Sequence, residues 1–198
     1  MEPEAPAGPE TIRPPDPKHR KMAANRDRVG LVIVHTGDGK GKSTAAFGMA
    51  MRAAGHGMRT HIVQFIKGSR DYGELAALGR FPEIALERAG EGFTWEVRSD
   101  ERQRELARYG MERARAAVEC GALDLLVLDE INVALGKDFF PCDELLMFLA
   151  ARPPELHVVC TGRYAPDALI AAADLVTRFE LVKHPFERGI RAQPGVEF

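Results

Sequence analysis

Apolar residues along the chain fall into short runs of strand length separated by stretches with helical spacing. The runs are Leu31–His35, Thr60–Ile66, Ile84–Arg88, Leu123–Leu128, His157–Thr161 and Leu175–Val182. Runs that are apolar on both faces belong inside a parallel sheet covered by helices, and Ile84–Arg88 is the weakest of them. The helical stretches are Lys42–Ala54, rich in Ala and Met and ending at Gly55, and Asp100–Cys120, long, polar and arginine-rich along one side. A third, Cys142–Ala151, stops ahead of Pro153 and Pro154, where the geometry before proline disfavours helix. Strands and helices alternating at this size predict an α/β domain: a P-loop (RecA-like), mostly parallel sheet with helices on both faces and right-handed crossovers. Residues 1–28 break the pattern, since six of the thirteen prolines lie in the first 17 residues among acidic and small side chains. They predict a flexible tail, with a short helix from Pro17 through the basic cluster, ahead of one domain over residues 29–198.

Composition narrows the class. A chain of 198 residues, 45% hydrophobic and 28% charged, is ordinary for one globular domain with a core. A net charge of -2 gives no general attraction to nucleic acid or membrane. The one basic cluster, His19 to Lys21 and Arg26 to Arg28, reads as part of a solvated tail. The opening residues contain no apolar signal region, and no run approaches the ~18 residues of a membrane span. Cys120, Cys142 and Cys160 are widely spaced, an odd set that reads as reduced, buried thiols in a cytoplasmic protein. The six histidines form no metal-ligand motif.

The strongest chemical signal is Thr36-Gly37-Asp38-Gly39-Lys40-Gly41-Lys42-Ser43-Thr44, which directly follows a predicted buried strand and opens a predicted helix. Glycines let successive N–H groups converge on phosphate oxygens, and the helix N-terminus adds its positive end. Lys42 supplies a mobile cation and Ser43 a hydroxyl for Mg2+ (or Mn2+). The usual first glycine of such loops is replaced by Thr36, with Gly37 and Gly39 expected to supply the missing flexibility and Lys40 a second charge. A partner acid is expected at the end of another buried strand. Leu125–Leu128 followed by Asp129 and Glu130 provides it, both residues being candidate metal ligands whose roles the sequence does not separate. Thr161-Gly162-Arg163 closes the fifth run and makes Arg163 a candidate nucleotide contact. The pattern predicts ATP as ligand without naming a reaction.

In Gly90-Glu91-Gly92-Phe93-Thr94-Trp95-Glu96, glycines flank two large aromatics. The residues alone allow either a mobile apolar lid or core side chains at a strand edge. From about Arg28 to Phe198 the chain resembles the P-loop corrinoid adenosyltransferases, the family of cob(I)yrinic acid a,c-diamide adenosyltransferase. The segments that carry the resemblance are TGDGKGKSTAAFG (36–48), VQFIKG (63–68), GEGFTWE (90–96), LLVLDEIN (125–132), TGRYAPDALIAAADLVT (161–177) and VKHPFERGIRAQPGVEF (182–198). Of these, GFTW and the KHPF tail are the most diagnostic, because general P-loop proteins lack them. The proline-rich N-terminal tail departs from the family.

The resemblance implies that a corrinoid (cobalamin, cobinamide or cobyrinic acid a,c-diamide) binds, sheds its lower axial ligand and is reduced to Co(I) by an electron donor the sequence does not identify. Co(I) then attacks C5′ of ATP and triphosphate leaves. It further implies ATP held in reversed orientation, Phe93 and Trp95 crowding the lower corrin face, and a homodimer. The chain has no Asp-x-His-x-x-Gly motif of domains that ligate cobalt through histidine, and His184 is expected to serve tail packing. The alternatives are a P-loop small-molecule kinase or ATPase, which would yield ADP; a RecA-like DNA module, which the charge balance disfavours; and a nucleotide sensor without turnover.

Overall fold

Six short strands pair in the order β3-β2-β4-β5-β1-β6, every pair parallel: β1 (Val32–Thr36), β2 (Thr60–Gln64), β3 (Ile84–Arg88), β4 (Leu125–Asp129), β5 (His157–Thr161) and β6 (Leu175–Arg178). The structure is a computed structural model that describes residues 28–66, 73–89 and 99–197. Strand alternation sorts the apolar side chains to two faces. Ile33, Ile62, Val127 and Val159 pack under α1 (Lys42–Ala54) and α2 (Gly73–Leu78). On the other face Val34, Val63, Leu128 and Cys160 pack under α3 (Asp100–Glu119), α4 (Ile131–Gly136), α5 (Cys142–Ala151) and α6 (Asp167–Ala172). The core is therefore two apolar layers, one on each side of the sheet, as the α/β reading requires.

Local chemistry explains the main helices. α3 is capped by Ser99, whose hydroxyl accepts from the Arg102 N–H, and carries Asp100 and Glu101 in its first turn, where the positive helix end favours acids. Its Leu106, Ala107, Gly110, Met111 and Ala114 make one buried stripe, and most of its arginines remain on the solvated side. α1 meets the sheet through Ala46, Ala50, Ala53 and Ala54, small residues that allow close approach.

Register builds the site's platform. Residues at or next to the strand ends form one row along the carboxyl edge: Arg88, Gln64, Asp129, Thr161, His35 and Thr177. All six are polar, and the four central ones are buried. The strand order also places β5 between β1, which leads into the glycine-rich loop, and β4, which ends in the acids.

Some expectations need correction. The sixth run was expected to be an interior strand over Leu175–Val182. It is an edge strand that ends at Arg178, is exposed at all four positions and, among the described residues, pairs with β1 alone. At Phe179 the chain leaves the sheet to bond with the glycine-rich loop, which ends the strand. The thiols are not uniformly buried: Cys120 is exposed, Cys142 half-buried and Cys160 buried. The expected proline-rich tail lies outside the described residues, apart from Arg28, whose guanidinium pairs with Asp124 at 2.6 Å. Among the described residues no helix is long and apolar enough to cross a membrane.

Candidate active site

The glycine-rich loop is shaped by main-chain contacts with a distant part of the chain. Phe179 N–H donates to Thr36 O and Phe179 O accepts from Gly39 N–H, each at 2.8 Å. A Cβ on Gly37 would lie 2.4 Å from Phe179 O, and one on Gly39 would lie 2.5 Å from Glu180 O. Gly37 (φ 95°) and Gly41 (φ 108°) also adopt left-handed backbone that side chains resist. The glycines thus serve two ends: Gly37 turns the loop as expected and Gly41 turns it as well, whereas Gly39, expected to turn it too, has no left-handed backbone and is small because the 179–180 backbone passes against it. The Gly39 N–H, engaged with Phe179, is not among the donors offered to a phosphate.

Lys42 opens α1 and is only 8% exposed. Its ammonium donates to Gly37 O at 2.8 Å and to Gly39 O at 2.5 Å, which holds a cation across the loop in front of the helix N-terminus. Ser43 and Thr44 follow it in the first turn. Lys40 forms an ion pair with Glu197. Arg163 reaches the loop from β5: its guanidinium donates to Asp38 O at 3.3 Å and lies 3.8 Å from the Asp38 carboxylate. Lys42 and Arg163 therefore lie at the same loop, as does the helix end.

The acids occupy different surroundings although they are adjacent. Asp129 is fully buried at the end of β4. One of its oxygens accepts from the Thr161 hydroxyl at 2.7 Å and the other from the Gln64 amide at 3.0 Å. Glu130 is only half-buried and sits at φ 66°, ψ 16°, a left-handed conformation rarely taken by a side-chain-bearing residue, where strand turns into α4. Its N–H donates to the Thr161 hydroxyl at 3.0 Å. Gly162 (φ 125°) leaves room for it: a Cβ there would come within 3.1 Å of the Glu130 carboxylate. Asn132, fully buried, donates to His35 O and Gly162 O at 3.2 Å and so ties β1 to β5 at the same edge.

Two histidines show the electrostatic character of the two strand ends. His35, buried beneath the loop with its Nδ1 3.3 Å from Lys42 O, is pushed below the usual imidazole range by desolvation. It meets the Phe179 ring edge-on, with centroids 5.6 Å apart. His157 at the opposite end of the sheet accepts from Leu31 N–H through Nδ1 and is also pushed down, by burial and then by Arg28. His184 accepts from Phe186 N–H and caps the short turn Pro185–Arg188.

The structure thus brings together Thr36 to Thr44, Arg163, Asp129 and Glu130. Phe93 and Trp95 lie outside the described residues, as does Lys67. Thr161 and Gln64 stood inside quoted motifs without a role, and Asn132 likewise. A polar residue ending an otherwise apolar strand is the signal that marks the first two. Phe179 and Glu197 stood in a quoted run and a quoted segment, but nothing local to them pointed to the glycine-rich loop.

Comparison with known proteins agrees over nearly the whole chain. The model of the family described as ATP:corrinoid adenosyltransferase BtuR/CobO/CobP matches residues 28–198. A protein of Pseudomonas aeruginosa named corrinoid adenosyltransferase is 48% identical over 186 residues, spanning 90% of this chain and 88% of its own. One from Sinorhizobium with the same name is 45% identical over 184 residues, spanning 91% of this chain and 86% of its own. The Escherichia coli K12 protein of that name is 36% identical over 178 residues, spanning 90% of each.

Proposed function

The chain belongs to the ATP:corrinoid adenosyltransferase family, enzymes that transfer the adenosyl group of ATP to a corrinoid, and from that premise we propose how its residues divide the work. The observation that carries the proposal is the convergence of Lys42, Arg163 and the α1 N-terminus on one loop, with the Asp129–Glu130 pair on the same sheet edge. This arrangement suits a triphosphate. On ATP binding the Lys42 ammonium exchanges the carbonyls of Gly37 and Gly39 for phosphate oxygens, and Arg163 adds a second charge beside Asp38. Both cations stabilise the negative charge that grows on the leaving triphosphate.

A divalent cation fits the donor chemistry. Among the described residues no group of three His, Cys, Asp or Glu could hold a metal by itself. Mg2+ is commonly held by one or two carboxylates together with substrate phosphates, and the hydroxyl of Ser43 with the carboxylates of Asp129 and Glu130 is a hard oxygen set of that kind. Asp129, Glu130 and Ser43 would hold such a cation with ATP, where it would supply neutralisation of phosphate charge.

The transfer forms a Co–C5′ bond from the Co(I) lone pair of the corrinoid substrate. The C5′–O bond breaks and its electron pair leaves with triphosphate, so cobalt ends as Co(III). Starting from Co(II), one electron must first come from an external donor. Phe93 and Trp95 are assigned to the lower face of the corrin, where apolar bulk without a lone pair displaces the axial ligand and eases that reduction. The reading includes a homodimer and a cytoplasmic location, the latter in keeping with three free cysteines. The relatives lend no support to the kinase or ATPase alternative.

An anaerobic assay with ATP, Mg2+ and chemically reduced corrinoid tests the assignment. The expected outcome is corrinoid-dependent consumption of ATP with intact triphosphate as product. ADP formed at a similar rate without corrinoid would refute it. For the aromatics, Phe93→Ala and Trp95→Ala should slow adenosylation from cob(II)alamin far more than from pre-reduced Co(I). Equal losses from both starting states, together with a lower melting temperature, would make the two residues core.

A further inference from the structure

Thr161 occupies the strand end between the phosphate loop and the acids, and its single hydroxyl engages both acidic residues. The Glu130 N–H can only donate, so at 3.0 Å it takes a lone pair of the Thr161 oxygen. The hydroxyl proton is then directed to the Asp129 carboxylate, 2.7 Å away. The other Asp129 oxygen is held by Gln64 from the strand on the opposite side. With one bond to each oxygen from opposite neighbours, the carboxylate cannot rotate about its Cβ–Cγ bond without breaking at least one of them. The same hydroxyl also fastens the main chain of Glu130 at its left-handed turn, the turn that sets where the Glu130 side chain leaves the strand. Thr161 is fully buried, so no water competes for these bonds.

We propose that Thr161 is the positioning residue of the acid pair: its hydroxyl orients Asp129 and the Glu130 turn toward the cation bound with ATP. The proposal rests on the reading of Asp129 and Glu130 as cation-facing groups. Outer partners of metal-facing ligands typically contribute about 10–100-fold in metal affinity.

The test uses full-length protein and Mn2+ as probe. Mn2+ affinity in the presence of ATP is measured by electron paramagnetic resonance, beside adenosylation kinetics and a thermal melt. Thr161→Val keeps the β-branched shape and removes the hydroxyl. It should weaken Mn2+ binding by about tenfold or more. Thr161→Ser keeps the hydroxyl and should bind Mn2+ within about threefold of wild type, since the orienting bonds survive. If Thr161→Val does not fold, Thr161→Ala is read by the same titration and should show the same loss. Wild-type Mn2+ affinity in Thr161→Val or Thr161→Ala, with only a lower melting temperature, would overturn the proposal and leave the residue merely structural. Asp129→Asn separates the two levels: if it leaves Mn2+ affinity unchanged, the cation-facing reading itself fails and the role of Thr161 with it.

Discussion

The phosphate loop takes its shape from main-chain contacts, whereas the acid pair, across β5 on the same edge, takes its shape from side chains. In the loop, Thr36 and Gly39 bond to the backbone of Phe179, and Gly37 and Gly39 fit because nothing projects from them. At the acids, Thr161 and Gln64 supply the bonds through a hydroxyl and an amide, and Asn132 ties the neighbouring strand ends through its own amide. A loop of the first kind resists changes of side chain except where a glycine gains one. A corner of the second kind answers to the loss of a single polar atom. Substitutions distinguish the two.

The largest effect is expected at Lys42, whose ammonium spans the loop between Gly37 O and Gly39 O. Lys42→Ala should lower the rate of adenosylation on the order of 10²-fold or more, because a charge opposite the leaving triphosphate is lost. Its melting curve should stay close to wild type. A folded variant of normal activity would remove the loop from the mechanism.

Next comes Asp129→Asn. Its expected loss of activity is at least that of removing the outer partner Thr161, on the order of 10-fold or more, with little loss of stability. The reason lies in Gln64, whose Oε1 is buried with no hydrogen-bond partner. A flipped Gln64 amide can accept from the side-chain amide that the substitution introduces, so the variant removes charge while the bonding pattern survives. A large drop in melting temperature would show that the corner needs the charge for folding as well.

Gly39→Ala probes the main-chain side of the comparison. Its Cβ would meet Glu180 O at 2.5 Å, a backbone atom that cannot swing away. Overpacking of this kind costs about 1–3 kcal/mol, and ATP affinity should fall with it. Gly48→Ala is the matched control, because a Cβ there meets nothing within 4 Å. Calorimetric melts and nucleotide titration of the pair decide whether the loop depends on that close approach.

The smallest effect is a pH dependence shared by the sheet as a whole. His35, His61 and His157 are all held below their ordinary 6.5, chiefly by burial. The unfolded chain therefore binds more protons than the folded one as pH falls below 6.5, so stability present above that value is lost on acidification. Melting temperature should decline from pH 7 toward pH 5. A His157→Gln variant, which retains an acceptor for Leu31 N–H, should show a shallower decline.

Much of this was legible in advance where the deciding contacts are local. Lys42–Ala54 and Cys142–Ala151 were bounded correctly because a glycine or proline pair marks their ends, and Ile84–Arg88 and His157–Thr161 were bounded by their apolar runs. Helices Gly73–Leu78, Ile131–Gly136 and Asp167–Ala172 were missed, since six residues make fewer than two turns and show no period. The Gly-Lys-Ser loop and the Asp-Glu strand end were readable for the same local reason. The ion pair of Lys40 with Glu197, a residue 157 positions away, lies beyond any local pattern. The edge position of β6 was equally hidden, because Phe179 turns toward the loop through a contact of the folded chain alone.

That last contact also sets an order in time. The Gly-Lys-Ser motif leaves the ribosome early, whereas the Phe179 and Glu180 backbone that shapes it is made some 140 residues later, a separation read from the Gly39–Phe179 hydrogen bond. Closing so long a segment is a slow, non-local event in folding. A nascent chain interrupted before Phe179 carries the motif but lacks the backing that holds the loop open at Gly37 and Gly39. ATP capture by ribosome-bound intermediates should therefore switch on only after Phe179 and Glu180 have emerged behind β6.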